Sequence, residues 1–531
     1  MFTIIDTDTF FKNDPPAGLP ADSPPPNFNA LVARTERIDT SRYPLDALKA
    51  VLKAGNTRLG ADASSLDAIE SIGGDSVFVV CGQQAGLFGG PLYTLYKAMH
   101  AVRLAKRLTD ASGRNIVPIF WVASDDHDFE EVKSLGTITR DGGPLDIAMN
   151  PENRREDTPV GDIILDGAIV GAIETLSASC TPGETANRFI ELIRRSWRPG
   201  QRWTEAFAEQ MLGMFEGRGL VLFDPRWEGV KKLFADVYRE EISHPADSAR
   251  LVNEAADSFG SASERKRALR RPEGATNLFL ESDGVRHSLM FRDGVFSAGT
   301  VSYSSEDLHA IVADHPERLS PAAALRPVCQ DAVMPVAAFI AGPGERRYLS
   351  QLGMVYDRFG VDASTVWPRA SFTIVDRRTV RNAEKEGIPL ENLFVDPEKL
   401  KADLARWSFP EQAARDLDNL DNAVMDGFAS VAKSVAAIDP TLEKAVNKEL
   451  GRALHITAGV RERAMRAHKA SSDISERRLE AAVRLLFPDG VPQERRYGMN
   501  TILGVLGGDG FEVLIEATSP GEEHHRIVLP E

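Results

Sequence analysis

Three stretches carry residues whose types and spacing suit chemistry on a small anionic molecule. The first is GQQAGLFGGPLYTLYK, residues 82–97. A glycine-rich turn leaves backbone N–H groups free to meet phosphate or carboxylate oxygens, and a helix N-terminus adds a favourable dipole. Gly82 and Gly86 belong to the turn, and Gln83 and Gln84 bring amide donors and acceptors. Pro91 stands where a helix takes proline at its first position. Tyr93 and Thr94 follow as further binding candidates, and Lys97 places a cation about two turns into the helix. The spacing matches neither GxxxxGK[ST] nor GxGxxG. The second stretch is Asp125-Asp126-His127-Asp128. Such ligands could hold a divalent metal, or His127 could act as a general base oriented by Asp126 or Asp128. Successive residues at a strand end point in alternate directions, so all four cannot converge; no metal site is assigned. The third stretch joins Arg326, Gln330 and Asp331 to Gly342-Pro343-Gly344-Glu345, with Arg369 downstream. An arginine there could clamp a carboxylate through two parallel hydrogen bonds. Cys81, at the first turn, lacks an activating base nearby in sequence and reads as a small core residue.

The elements that must position these groups are legible. Residues 77–80 form a β-branched apolar run of buried-strand type. From 92 to 108 apolar residues recur at helical spacing, and 116–123 is a second buried-strand run. This is a β-α-β unit, with its polar residues just past the strands' carboxyl ends, where open parallel sheets bind ligands. Residues 334–341 read as another buried strand, followed by an amphipathic helix over 345–359 and a strand pair or strand end over 365–375. Elsewhere, 1–43 reads as irregular around its prolines, 43–60 as helix and 137–170 as small strands and turns. Residues 184–215 read as helix, 219–224 as buried strand, and 227–243 and 251–270 as helices. Residues 277–302 carry Asp283-Gly284 and Asp293-Gly294, two hairpin signals. Beyond 376, two runs with apolar steps of three or four residues, 413–435 and 442–464, meet at Asp439-Pro440. They predict an antiparallel helical hairpin with an arm of roughly 40 Å. GFEVLIEA in the tail reads as a small strand, and His524-His525 as solvated.

Composition narrows the class. The chain has 531 residues, 43% apolar and 26% charged, ordinary values for a soluble globular protein of several domains. A net charge of −16 argues against an extended nucleic-acid footprint. Three separated cysteines form neither a zinc pattern nor a disulfide framework and fit a reducing, cytoplasmic setting. The N-terminus does not read as a secretory signal, and no apolar run approaches the roughly 20 residues a membrane span needs.

The motifs at 82–97, 121–132 (WVASDDHDFEEV) and 324–345 (ALRPVCQDAVMPVAAFIAGPGE) closely resemble those of BshC, the cysteine-adding enzyme family of bacillithiol biosynthesis. WPRASFTIVD at 367–376 and QERRYGMN at 493–500 resemble it too. The likeness runs along essentially the whole chain and is loosest over 184–271. Asp125 stands where that family's EDHD motif has glutamate, which keeps the charge and shortens the reach. The resemblance implies an α/β fold: a Rossmann-like nucleotidyltransferase core related to class I aminoacyl-tRNA synthetases, with connecting-peptide insertions and an antiparallel α-helical coiled coil that contributes to a homodimer. The implied division is core at 1–136 and 303–376, insertions at 137–302, coiled coil at 377–485 and a C-terminal segment on the core at 486–531. The implied reaction joins the carboxyl group of L-cysteine to the amine of glucosaminyl malate, giving bacillithiol.

Amide formation from a free carboxylate is uphill, so ATP, with Mg2+, is the expected activator. His127, Asp126, Asp128 and Lys97 are then the catalytic candidates. Gly82, Gln83, Gln84, Gly86, Pro91, Tyr93, Thr94, Asp125, Arg326, Gln330, Asp331, Gly342, Gly344, Glu345 and Arg369 are the candidates for binding substrate or nucleotide, with Arg326 or Arg369 on the malate. The HIGH and KMSKS signatures of the synthetases are absent from the sequence. Two other readings stay open: a nucleotide- or metabolite-binding dimer without turnover, and a metal-dependent hydrolase built on residues 125–128.

Overall fold

The computed structural model describes residues 2–11, 27–140, 142–152, 154–396, 410–469, 473–507, 510–518 and 525–530. Its centre is a five-stranded, wholly parallel sheet in the order Thr365–Pro368, Val336–Ala341, Val77–Gln83, Ile116–Val122, Val221–Phe223. All but the carboxyl-terminal residue of Val77–Gln83, and all of Ile116–Val122 and Val336–Ala341, are buried. Such burial on both faces explains runs that are apolar throughout rather than alternating. The helix Leu92–Ser112 makes the first crossover and ends on Gly113, whose φ of 70° closes it in the left-handed conformation. From the central strand the chain first builds outward to Val221–Phe223, then returns to build the other side. Strand order therefore reverses between Val77–Gln83 and Val336–Ala341, and a crevice opens at their carboxyl ends.

A second, antiparallel sheet stands over this crevice: Val301–Tyr303, Val295–Ala298, Val285–Arg292, Ala275–Ser282 and Leu319–Pro321 in that order. Asp283-Gly284 and Asp293-Gly294 make its turns, each with positive φ at both residues, the geometry that matches strand twist. A third sheet places His525–Pro530 between Phe2–Asp6 and Ser371–Ile374. The helices Glu411–Ala436 and Leu442–Lys469 form the expected hairpin, with Arg461 bridging to Asp418 and Asp421 across it, both at 2.8 Å.

Several expectations need correction. Residues 184–215 form two helices, Glu184–Ser196 and Trp203–Met214, because Pro199-Gly200 breaks the run. Residues 345–359 likewise split into Pro343–Leu349 and Gly353–Phe359. Pro91 precedes the helix as its cap rather than opening it. GFEVLIEA is the helix Gly510–Ala517, burying Leu514 and Ile515; tertiary packing overrides its strand-like composition. The N-terminal region contains the strand Phe2–Asp6 and the helix Phe28–Arg37, while the proline-rich residues 15–26 lie outside the described residues. His525 is buried, its imidazole held between Ser371 Oγ at 2.7 Å and Thr373 Oγ1 at 2.9 Å, not solvated; His524 lies outside the described residues.

Candidate active site

A cavity of about 650 Å³ fills the crevice at the strand-order reversal. One wall is the glycine turn. A Cβ on Gly86 would lie 2.6 Å from the Cα of Gly90, so the turn folds back on itself only because both positions lack side chains. Gly82, Gln83, Gln84 and Tyr93 face the cavity; Gly86, Pro91 and Thr94 shape the turn behind it. Lys97 is fully buried and spans the reversal. Its ammonium donates to Gly82 O at 2.9 Å and Gln83 Oε1 at 2.7 Å, and pairs with Glu345 Oε2 at 2.5 Å. Burial pulls its pKa below the ordinary lysine value while Glu345 opposes the shift. Glu345 also accepts from Gly342 N at 2.8 Å. The lysine therefore staples two strand ends together and keeps no spare N–H.

The 125–128 run fans out, but from a turn and loop past the strand, which ends at Val122, rather than by alternation along a strand. Asp125 turns inward to Lys231 and Arg226. Burial raises its pKa, but those two cations and Arg286 outweigh that and hold it below the usual carboxylate range. Asp126 is committed to its own loop: it accepts from Gln84 Nε2 at 2.6 Å, His127 N at 2.8 Å and Asp128 N at 3.3 Å. His127 is half-buried and lines the cavity, with Nδ1 3.4 Å from an Arg286 N–H donor. Asp128 is exposed and lies outside the lining. Ser124 donates to Asp224, whose carboxyl burial pushes up to about 6. Among the described residues no three His, Cys, Asp or Glu side chains gather as a metal cluster.

The arginines divide sharply. Arg326 is packed against Trp121 and Phe339, 5.5 and 5.2 Å from their ring centres, and donates to Gln330 Oε1 at 3.1 Å. Arg369 lines the cavity, but its guanidinium donates from both Nη1 and Nη2 to the buried Glu494 carboxylate, one bond being 2.8 Å. Gln330 and Asp331 lie behind the wall. Asp331 accepts from Gln330, Tyr356 and Ser364 and locks helices together. Gly342, Gly344 and Glu345 line the cavity. Sequence reasoning did not single out Arg271, Arg286, Phe279 and Glu131, which the fold brings to the same cavity. Arg286 stacks on Phe279 at 3.7 Å and Arg271 at 5.8 Å from the ring centre. The Asp283-Gly284 hairpin was the available signal for Arg286; nothing in the sequence aims that hairpin at residues 82–97. Cys81 and Cys329 are buried, and burial pushes both thiols far up, so neither is an activated nucleophile. No helix among the described residues is long and apolar enough to cross a membrane.

Two family models match in succession: the N-terminal Rossmann-like domain of bacillithiol biosynthesis BshC over residues 24–370, and the C-terminal coiled-coil domain of the same family over 372–529. Among curated proteins, a Thermus thermophilus relative is 34% identical over 94% of this chain and 96% of its own length. One from Salinibacter ruber is 32% identical over 89% of this chain and 86% of its own, and one from Koribacter versatilis 28% over 94% and 92%. All three carry the name "Putative cysteine ligase BshC". A parallel sheet with its cavity at the strand-order reversal, followed by a helical arm, fills both models in order, and the chain belongs to the BshC family of bacillithiol biosynthesis.

Proposed function

We propose that the chain is a carbon–nitrogen ligase joining the carboxyl group of L-cysteine to the amine of glucosaminyl malate, the step that yields bacillithiol. One observation carries this reading: at the strand ends, Arg271, Arg286 and Arg326 line a single cavity together with His127 and a carboxylate-bearing rim. A malate moiety is a dianion, and guanidinium groups match carboxylates in geometry as well as charge. Arg271 and Arg286, both stacked on Phe279, are the malate-binding pair in this reading; Arg369, tied to Glu494, serves the wall. A volume of about 650 Å³ lies within the range of small-molecule sites.

ATP with Mg2+ is the proposed source of activation, supplying the free energy that a free carboxylate lacks. The backbone N–H of Gly344 and the Arg326 guanidinium have the donors to meet phosphate oxygens; Gly342, whose N–H is held by Glu345, and Lys97, with its N–H bonds already taken, do not. His127 presents its ring to the reacting groups. A second copy of the chain is proposed to pack along the helical arm, where Leu420, Met425, Val431, Ile438, Ile456 and Val460 are exposed. Mass spectrometry after incubation with L-cysteine, glucosaminyl malate, ATP and magnesium tests the function. Amide product that requires ATP is expected; a folded protein that makes none overturns the reading.

A further inference from the structure

Amide formation requires a proton acceptor, since the attacking nitrogen arrives as an ammonium. Four carboxylates line the cavity: Asp125, Asp126, Glu131 and Glu345. Asp125 is locked to Lys231 and Arg226, and Glu345 to Lys97. Asp126 accepts three hydrogen bonds from its own loop and Gln84. Glu131 differs. It ends the 3-10 turn Phe129–Glu131, which is pinned to the glycine turn by Leu87 N donating to Val132 O at 2.8 Å. Among the described residues it has no ion-pair partner, and the nearby amide of Gln84 is already bonded to Asp126.

His127, the obvious base by residue type, is positioned for the opposite task. Arginine is a donor only, so the 3.4 Å contact of Nδ1 with an Arg286 N–H, shorter than its 3.9 Å to Asp126 Oδ1, favours the tautomer in which Nδ1 accepts. A neutral imidazole that accepts at Nδ1 carries its hydrogen on Nε2 and has no lone pair there. His127 therefore offers the reaction a hydrogen-bond donor.

We propose that Glu131 is the general base for the proposed ligase reaction and that His127 donates a hydrogen bond to the acyl oxygen as negative charge gathers on it. This rests on the ligase reading of the preceding section. The amine nitrogen bonds to the acyl carbon of a carboxyl group activated by phosphoryl or adenylyl transfer. Glu131 first takes one proton from the ammonium, which frees the nitrogen lone pair that forms this bond. The bond from that carbon to the leaving oxygen then breaks, its electron pair leaving with the phosphate group, and the second nitrogen proton goes to that departing phosphate. The local field suits the role: Glu131 is exposed at the cavity rim, yet partial desolvation of its carboxyl raises the pKa most, the negative Asp128 and Asp126 raise it further, and Gln84 opposes them. A carboxylate made more basic is a better match for an amine proton. The other charged or titratable groups nearby are Tyr93 on the long helix and Arg495, whose guanidinium lies 5.9 Å from the Tyr93 ring centre.

The test compares wild type, Glu131→Gln, Glu131→Ala and Asp128→Asn in the ATP-dependent amide assay across pH. Glu131→Gln is expected to lower kcat about 100-fold and to abolish the acidic limb of the profile. Acetate added to Glu131→Ala is expected to restore turnover, which a merely structural loss would not allow. Asp128→Asn, by removing a negative neighbour, is expected to move the acidic limb to lower pH. Glu131→Gln that turns over as fast as wild type, with the acidic limb in place, overturns the role of Glu131 while leaving the ligase reading intact. Wild type that makes no amide overturns the ligase reading itself, and the role of Glu131 with it.

Discussion

Asp125 sits in a run of four polar residues, yet its carboxylate turns away from the solvent side into Lys231 and Arg226. Neutralising one member of a buried pair leaves the other charge unpaired in low dielectric, at a cost of about 3–5 kcal/mol. Asp125→Asn is therefore expected to lower the unfolding free energy by that order at pH 7, read from denaturant titration. The folded pKa of Asp125 is depressed, so its contribution is complete above the unfolded value of about 3.9 and fades as pH falls through the lower folded value. The gap between variant and wild type should close below about pH 4. A gap that persists in acid would mean lost packing rather than lost charge. At this scale the sequence was informative about outcome but not cause: residues 125–128 do not converge, yet they diverge from a turn past the end of the strand at Val122 rather than by strand alternation. It was silent about partners. Arg369 looked like a free clamp because Glu494, which binds it, lies 125 residues further on.

Among the elements, the β-α-β unit and the later strand-turn-helix were readable because each is local: an apolar run, glycine, then helical periodicity. The glycine turn makes a sharp prediction. Gly86→Ala would set a methyl group 2.6 Å from the Gly90 Cα, backbone against backbone, where no rotamer change relieves the clash. A loss of about 1–3 kcal/mol is expected as a lower midpoint in urea. An unchanged midpoint would show that the turn opens at no cost. What was not readable was how elements meet across distance. Arg286 and Arg271 reach the cavity because a five-stranded antiparallel sheet folds over the parallel sheet, and nothing in a strand's alternation says which face another sheet will cover. GFEVLIEA failed for the same reason. Its phenylalanine, valine and isoleucine favour strands, but Phe511, Leu514 and Ile515 are also spaced for one helix face, and packing in the body selects that spacing.

Over the whole molecule, the helical arm is the region whose apolar residues outrun what the chain itself covers. Among its described residues Val431 is 50% exposed and Ile456 66%. If the proposed pairing of two copies runs along this row, Val431→Asp should convert a dimer into a monomer in light scattering. It should cost a single chain less than about 0.5 kcal/mol, because the side chain is already in solvent. A wild-type chain that is monomeric at micromolar concentration would remove the pairing. Antiparallel apolar runs around Asp439-Pro440 made the arm legible early, since a narrow hairpin declares itself by periodicity alone. The cavity's assembly from both ends of the chain did not declare itself.

The strand His525–Pro530, seated between Phe2–Asp6 and Ser371–Ile374, has a consequence for how the molecule comes into being on the ribosome. The strand Phe2–Asp6 emerges long before the neighbour it pairs with. Throughout nearly all of synthesis it presents an open hydrogen-bonding edge, the kind of surface that recruits stray strands. Arg369 meanwhile waits without Glu494, and an uncompensated guanidinium resists burial. The parallel sheet can close early, but the wall of the cavity at Arg369 and Arg495 is completed only when the turn Gln493–Arg496 arrives. The vulnerable interval of this chain's biogenesis is thus its final stage, and a chaperone that shields the N-terminal edge until then would have the largest effect on yield.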